Sequence, residues 1–202
     1  MKKFLAAAIL VLFSSSAALA QSASQSEQAK VFINDIGNKI IKTADDKKSS
    51  VEQRKNKIIA IIDGAIDPDW IARFVLGKNY KNTSEENKTR FSKLYRDFMI
   101  NTYGAKFQNY NGRKFDVTDV SEQNSFYIVK AEFLPRDSNT PIDITFRVKE
   151  RSGKLMILDF IAEGVSLIET QRSEFNSAIS QKGMEKFLED LEVRIKNLKA
   201  QK

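Results

Sequence analysis

Apolar residues recur along this chain with two different periods, and the change of period divides it. Phe32, Ile36 and Ile40 return every fourth residue, with Ile33 beside them, which predicts a helix over 27–43. A polar break over 45–50 follows. From Val51 a second helix carries Ile58, Ile61, Ile62, Ala65 and Ile66, the i, i+3, i+4, i+7, i+8 pattern of one buried face. Asp67-Pro68 restarts the chain. Asp67 suits an N-cap, and Pro68 suits the first helical position, where its missing N–H does no harm. The short helix that follows holds Trp70, Ile71, Phe74 and Val75 and ends at Gly77, a residue type suited to a C-cap. Thr83 with Glu86 three residues on reads as a capping box. It opens a helix with a heavy stripe of Phe91, Leu94, Tyr95, Phe98, Met99, Thr102 and Tyr103.

From about Arg113 the period becomes two. Candidate strands are 114–120, 126–134, 142–150 and 154–162, separated by turn residues. Short links predict an antiparallel meander. In the third strand Ile142, Ile144, Phe146 and Val148 face one way, and Asp143, Thr145, Arg147 and Lys149 the other. The second and fourth strands place apolar side chains on both faces, which predicts a sheet covered at least in part on both. Two helices close the chain, one over about 165–179 and one from Gly183 that carries Met184, Phe187, Leu188, Leu191, Ile195 and Leu198. The expected fold class is α+β: N-terminal helices, a curved four-stranded antiparallel sheet, then C-terminal helices packed back on it.

The first twenty residues change the picture of where the protein works. Met1-Lys2-Lys3 is followed by an uncharged run from Phe4 to Phe13, then by Ala18-Leu19-Ala20. A basic start, a short apolar run and a small-x-small site in that order predict a cleavable export signal over 1–20. The run is too short to span a bilayer, which needs about 20 residues. Residues 21–202 then form a single domain, with 21–26 (QSASQS) expected to be a disordered leader.

Composition removes several chemistries. The chain has no cysteine and no histidine. Disulfides, thiolate nucleophiles, imidazole bases and thiolate or imidazole metal ligands are therefore absent, and no metal site is expected. The formal charge is +7, and loss of Lys2 and Lys3 with the signal lowers it to +5. The lysines are spread along the chain instead of interleaving with aromatics, which argues against a nucleic-acid partner.

Few residues suggest catalysis. Asp67 and Asp69 are explained by capping. Asp159 sits in an otherwise apolar strand, and Glu163 precedes Gly164-Val165-Ser166. A buried carboxylate could act as a general base. The simpler reading is a structural carboxylate that accepts backbone N–H groups where strand turns into helix. No partner acid or nucleophile is identifiable, and Ser166 is better placed as a helix cap than as a nucleophile.

The stretch Leu158-Asp159-Phe160-Ile161-Ala162-Glu163-Gly164-Val165-Ser166-Leu167-Ile168, followed by Arg172, Phe175 and Lys182-Gly183, resembles the C-terminal signature of the MlaC family. These are periplasmic phospholipid-binding components of the Mla (toluene-tolerance) ABC transport system. Val75-Leu76-Gly77 and Tyr103-Gly104 fit the same pattern in order, so the likeness spans about residues 30–195. Asn79-Tyr80 departs from the aromatic that often follows the Leu-Gly pair.

The resemblance implies a cone related to nuclear-transport-factor-like folds, enclosing an apolar cavity with a glycerophospholipid as cargo and no other cofactor. It implies a periplasmic location. It also implies partners in an inner-membrane Mla ABC transporter and an outer-membrane Mla lipoprotein–porin complex; a monomer and no enzymatic activity are expected. On this reading the candidate lipid-lining residues are Trp70, Ile71, Phe74, Val75, Phe98, Tyr103, Phe107, Ile128, Phe133, Ile144, Phe146, Met156, Phe160, Val165 and Ile168. Two other readings stay open: an enzyme on a cone-like fold with Asp159 or Glu163 as base, and a chaperone or adaptor with no small ligand.

Overall fold

The computed structural model describes the backbone of residues 14–108 and 112–200, and the side chains of residues 25–102 and 112–200. The helices α1 (Ser14–Ala44), α2 (Val51–Asp63) and α3 (Pro68–Leu76) lead through a 3-10 segment (Gly77–Asn82) into α4 (Glu85–Gln108). Strands β1 (Gly112–Gln123), β2 (Phe126–Pro135), β3 (Ile142–Arg151), β4 (Lys154–Ala162) and β5 (Val165–Ser166) follow, then α5 (Leu167–Lys182) and α6 (Met184–Ala200). The strands form one antiparallel meander in sequence order.

The sheet has five strands where the sequence suggested four. The fifth is only two residues long and pairs Val165 with Ala162 and Ser166 with Ile161. It is reached through Glu163 and Gly164, both with positive φ (51° and 79°). A two-residue strand shows no period, so Val165 and Ser166 read as the start of the following helix. That helix begins two residues later, at Leu167.

Residues 21–26 also differ from expectation: α1 runs through them. No glycine or proline interrupts the chain between Ser14 and Gly37, and the helix is pinned just beyond by Ala29 and Ile33, both fully buried. The Tyr127 hydroxyl donates to Gln25 Oε1 at 3.0 Å.

The caps carry one further correction. Asp67 accepts from Trp70 N and Pro68 opens α3, and Ser166 accepts from Glu169 N, as their positions predicted. The cap of α4 is Ser84, not Thr83: Ser84 Oγ accepts from Asn87 N at 3.2 Å. Thr83 is buried and its hydroxyl donates back to Asn79 O at 2.7 Å, which closes the 3-10 segment.

A bulge explains the apolar run in β4. The β3–β4 register jumps from Arg147↔Asp159 to Val148↔Ile157, leaving Leu158 as an extra residue. Leu155, Ile157, Phe160 and Ala162 therefore share the face of Phe146 and Val148, while Met156, Asp159 and Ile161 lie on the other. The β1 shift between Val117 and Asp119 acts likewise. Bulges bend a strand and raise its twist, which curves the sheet. The face opposite is not the apolar surface expected from β2. It carries Lys130, Glu132, Asp143, Arg147 and Lys149 beside Ile128, Met156 and Ile161.

Two apolar cores result. One joins α1 to the sheet through Ala29, Ile33, Phe115, Tyr127, Val129, Ala131 and Val148. The other is helical, with Val75, Leu76, Phe91, Phe98, Phe175 and Leu188 at its centre. They meet where Ile157 N donates to Ala65 O at 2.7 Å and Ile66 bridges Ile157. The α1–sheet contact depends on Gly37, because a Cβ there would overlap the Phe115 ring. Gly37→Ala is expected to lower folding stability by about 1–3 kcal/mol through overpacking, despite alanine's better helix propensity. Urea unfolding of the variant measures it; an unchanged or higher midpoint would show that α1 is not held this closely.

Candidate functional site

The sheet register gathers an apolar surface at one end of the curved face. Phe133 pairs with Ile142, Ala131 with Ile144, Phe146 with Phe160, and Ile144 with Ala162. Directly opposed residues share a face, so Phe133, Ile144, Phe146 and Phe160 stand together. An aromatic run crosses it: ring centroids are 6.2 Å apart for Phe115–Phe146 and 5.6 Å for Phe146–Phe160. Helix α1 packs mainly on β1 and partly on β2, so Phe115, Val129 and Ala131 are buried. Phe133, Ile144, Phe146 and Phe160 are only half-buried. At the rim Ile142 and Val165 are exposed, at 37% and 61%.

The other candidates lie elsewhere. Ile71, Val75, Phe98 and Ile168 are deep in the helical core, with exposures of 6% or less. Trp70 and Phe74 pack against its edge, half-buried and stacked at 5.2 Å. Ile128 and Met156 project from the polar face of the sheet, paired with Arg147 and Lys149. Tyr103 and Phe107 fall on α4, and their side chains lie outside the described ones. Eleven of the fifteen candidates thus form two groups, Phe133, Ile144, Phe146, Phe160 and Val165 on the sheet face and its rim and six in the helical core, while Ile128 and Met156 belong to neither. Leu155, Ile157 and Ala162 share the sheet face and were not among the candidates. Strict alternation from Phe160 would have placed Leu155 and Ile157 on the other face, because the extra residue at Leu158 resets the pattern.

Two surface hollows are lined by residues outside the fifteen candidates. One of about 490 Å³ is lined by Glu27, Gln28, Val31 and Phe32 on α1. The other, about 380 Å³, lies on α6 beside Asp190, Val193, Arg194, Asn197 and Leu198. No helix among the described residues is long and apolar enough to cross a membrane.

Asp159, the candidate base, is fully engaged. It is 2% exposed. Oδ1 accepts from Phe160 N at 2.8 Å and from Ile168 N at 3.4 Å. Oδ2 accepts from the Ser166 hydroxyl at 2.7 Å, with Arg147 3.5 Å away. Arg147 also holds Glu169 at 2.8 Å. The carboxylate thus ties β4 to β3 and to the start of α5. Both oxygens are taken by the protein, which leaves the structural reading in place of the general base. Burial pushes its pKa up, against the lowering effect of Ser166, the two backbone N–H groups and Arg147.

The sign of the resulting pH dependence follows. A raised folded pKa favours the protonated form in the native state. Its contribution to stability is present below the ordinary value of 3.8 and is lost as pH rises through the folded value. Asp159→Asn removes this ionisation. The difference in unfolding free energy between wild type and variant should therefore shift against the wild type as pH rises from below 3.8. Urea unfolding across that range reads it, and a constant difference would contradict the burial-driven shift.

Comparison with known proteins places this arrangement. The MlaC protein family model matches residues 33–193, well over half of the chain. The intermembrane phospholipid transport system binding protein MlaC of Haemophilus influenzae is 22% identical over 163 residues, covering 77% of this chain and 76% of that protein. A phospholipid-binding protein from Ralstonia solanacearum, solved in complex with a phospholipid, has the same fold with a TM-score of 0.74. It is 15% identical, and the match covers 84% of this chain and 98% of the other. By the extent of the family match, this chain belongs to the MlaC family.

Proposed function

We propose that this protein is a periplasmic carrier that shelters the acyl chains of a glycerophospholipid against the half-covered face of its sheet. On this reading residues 1–20 are a cleaved export signal and the mature protein is a monomer. It shuttles lipid between an outer-membrane lipoprotein–porin complex and an inner-membrane ABC transporter, and so maintains outer-membrane lipid asymmetry. The observation that carries the reading is the cluster Phe133, Ile144, Phe146 and Phe160. These residues are large, apolar, adjacent and only half-buried, on the face that folding otherwise seals. A phospholipid has about 25–30 methylenes, each disfavoured in water by about 0.8 kcal/mol. Free diffusion across an aqueous compartment is therefore prohibitive, and a dry protein surface makes extraction close to neutral. A carrier of this kind sets no direction itself; a gradient or an energy source does.

The family membership and the likeness of fold to a phospholipid complex support the same reading. The test is transfer of a fluorescent phospholipid from donor to acceptor vesicles. The protein should accelerate transfer in proportion to its concentration, and should hold labelled lipid at a fixed ratio. If vesicles exchange lipid no faster with the protein than without it, and no lipid stays with the protein, the reading fails.

A further inference from the structure

A second surface, distinct from the sheet face, combines unpaired cations with aromatic rings. Arg73 in α3, Lys78 and Lys81 in the 3-10 segment, and Arg172 in α5 are all exposed. None of them makes an ion pair among the described residues. The surface is built as one piece. Asn176 of α5 donates to Val75 O at 2.8 Å and accepts from Asn79 at 2.7 Å, which clamps α5 on the end of α3. Arg172 lies over the Phe74 ring at 4.6 Å. Its guanidinium passes so close to Gly77 that a Cβ there would meet Nε at 3.1 Å. The Tyr80 ring sits between Arg73, at 5.1 Å, and Lys88, at 4.5 Å. The acids of α3 and α5 are already engaged: Asp69 with the Ser92 hydroxyl at 3.4 Å, Glu169 with Arg147 at 2.8 Å and Glu174 with Arg194 at 2.5 Å, as is Glu85 of α4 with Lys88 at 2.7 Å.

We propose that this patch is a docking surface for an acidic segment of a partner protein. The reasoning is geometric. Guanidinium groups laid against ring faces are held in place with their N–H forks free, and such forks recognise planar carboxylates in pairs. An anionic bilayer asks for charge alone, attracting each basic residue with little regard to orientation. Here the cations are few, the two guanidinium groups of Arg73 and Arg172 are set against ring faces, and the whole chain carries only +7. The patch rests on the carrier reading only in that a carrier must dock to exchange cargo. Charge complementarity of this kind sets encounter rate and orientation.

The test uses the intact protein and a soluble glutamate-rich peptide, followed by NMR shift mapping and titration. Shifts should centre on 73–81 and on Arg172. Lys78→Glu with Lys81→Glu should weaken peptide binding by about tenfold, because two attractive contacts become repulsive. Lys47→Glu with Lys48→Glu makes the same change of net charge on the α1–α2 loop and should leave binding unchanged. Equal weakening by both pairs would overturn the proposal, since bulk charge would then explain the binding. So would tight binding to phosphatidylglycerol vesicles with none to the peptide, which would make the partner a membrane. Bound phospholipid, extracted from the same preparations, reports on the carrier reading separately: its absence would sink that reading and leave the docking result standing.

Discussion

Phe175→Ala is expected to lower folding stability by about 3–5 kcal/mol, near the top of the range for single substitutions. Phe175 is 1% exposed. Its ring meets Phe187 at 5.1 Å, Phe98 at 5.7 Å, and Phe91 and Tyr95 at 6.2 Å each. Removing it takes one wall from four other aromatics. Those rings belong to α4 and α6, two elements that cannot close on the gap without shifting their own helices. The cavity would stay partly open, and cavity volume adds to the lost transfer free energy. Near the midpoint this corresponds to a fall in Tm of about 10 °C for a domain of this size. Urea or thermal unfolding reads the effect. A loss under about 1 kcal/mol would mean that the cluster is loosely packed or refills the space easily.

Phe146→Glu is expected to reduce bound phospholipid by about tenfold while the protein still folds. Phe146 is half-buried between Phe115 and Phe160. In the unloaded protein a glutamate at this position can reach water, so the stability loss stays moderate. With acyl chains against the sheet it cannot, and burying a lone carboxylate beside hydrocarbon costs several kcal/mol. Phe146→Leu keeps the apolar surface and should retain most of the lipid. The two substitutions separate shape from polarity. Full lipid occupancy in folded Phe146→Glu protein would show that the acyl chains lie elsewhere. Phe175→Ala, by contrast, should leave lipid per folded molecule nearly unchanged, because that ring belongs to the helical core.

The fold was legible wherever a period persisted. The Asp67-Pro68 start of α3 and the alternation of β3 gave their elements to within a residue or two, because each pairs a repeating apolar face with a local cap or turn; the α2 stripe gave that helix but ran on through Ala65 and Ile66, past its end at Asp63, because Ile66 bridges the sheet instead. Legibility failed where one residue mattered. The β5 strand is two residues long, and the bulge at Leu158 shifts half of β4 onto another phase. Neither leaves a trace in composition. Thr83 was preferred to Ser84 as a cap because Glu86 stands three residues after it, the capping-box spacing, whereas Asn87 holds that place for Ser84. The three-dimensional path decides between them by burying Thr83.

The site was legible in kind more than in membership. Phe133, Ile144, Phe146 and Phe160 were found because large apolar residues on a strand have to face something. The same logic swept in Ile71, Val75, Phe98 and Ile168. From sequence alone, a core position and a lining position carry the same side chains. Only the packing of α3, α4, α5 and α6 around the former, and the partial coverage of the sheet by α1, distinguish them. Asp159 shows the converse: its apolar surroundings suggested chemistry, while Phe160, Ser166 and Ile168, all within the next nine residues, supply its hydrogen-bond partners.

The most direct measurement is native mass spectrometry of the protein prepared from membrane-containing cells without delipidation, with solvent extraction of the same sample. Peaks heavier than the polypeptide by the mass of whole phospholipid molecules, matched by phospholipid in the extract, are the predicted result. A single peak at the bare polypeptide mass, with an extract free of phospholipid across repeated preparations, would contradict it.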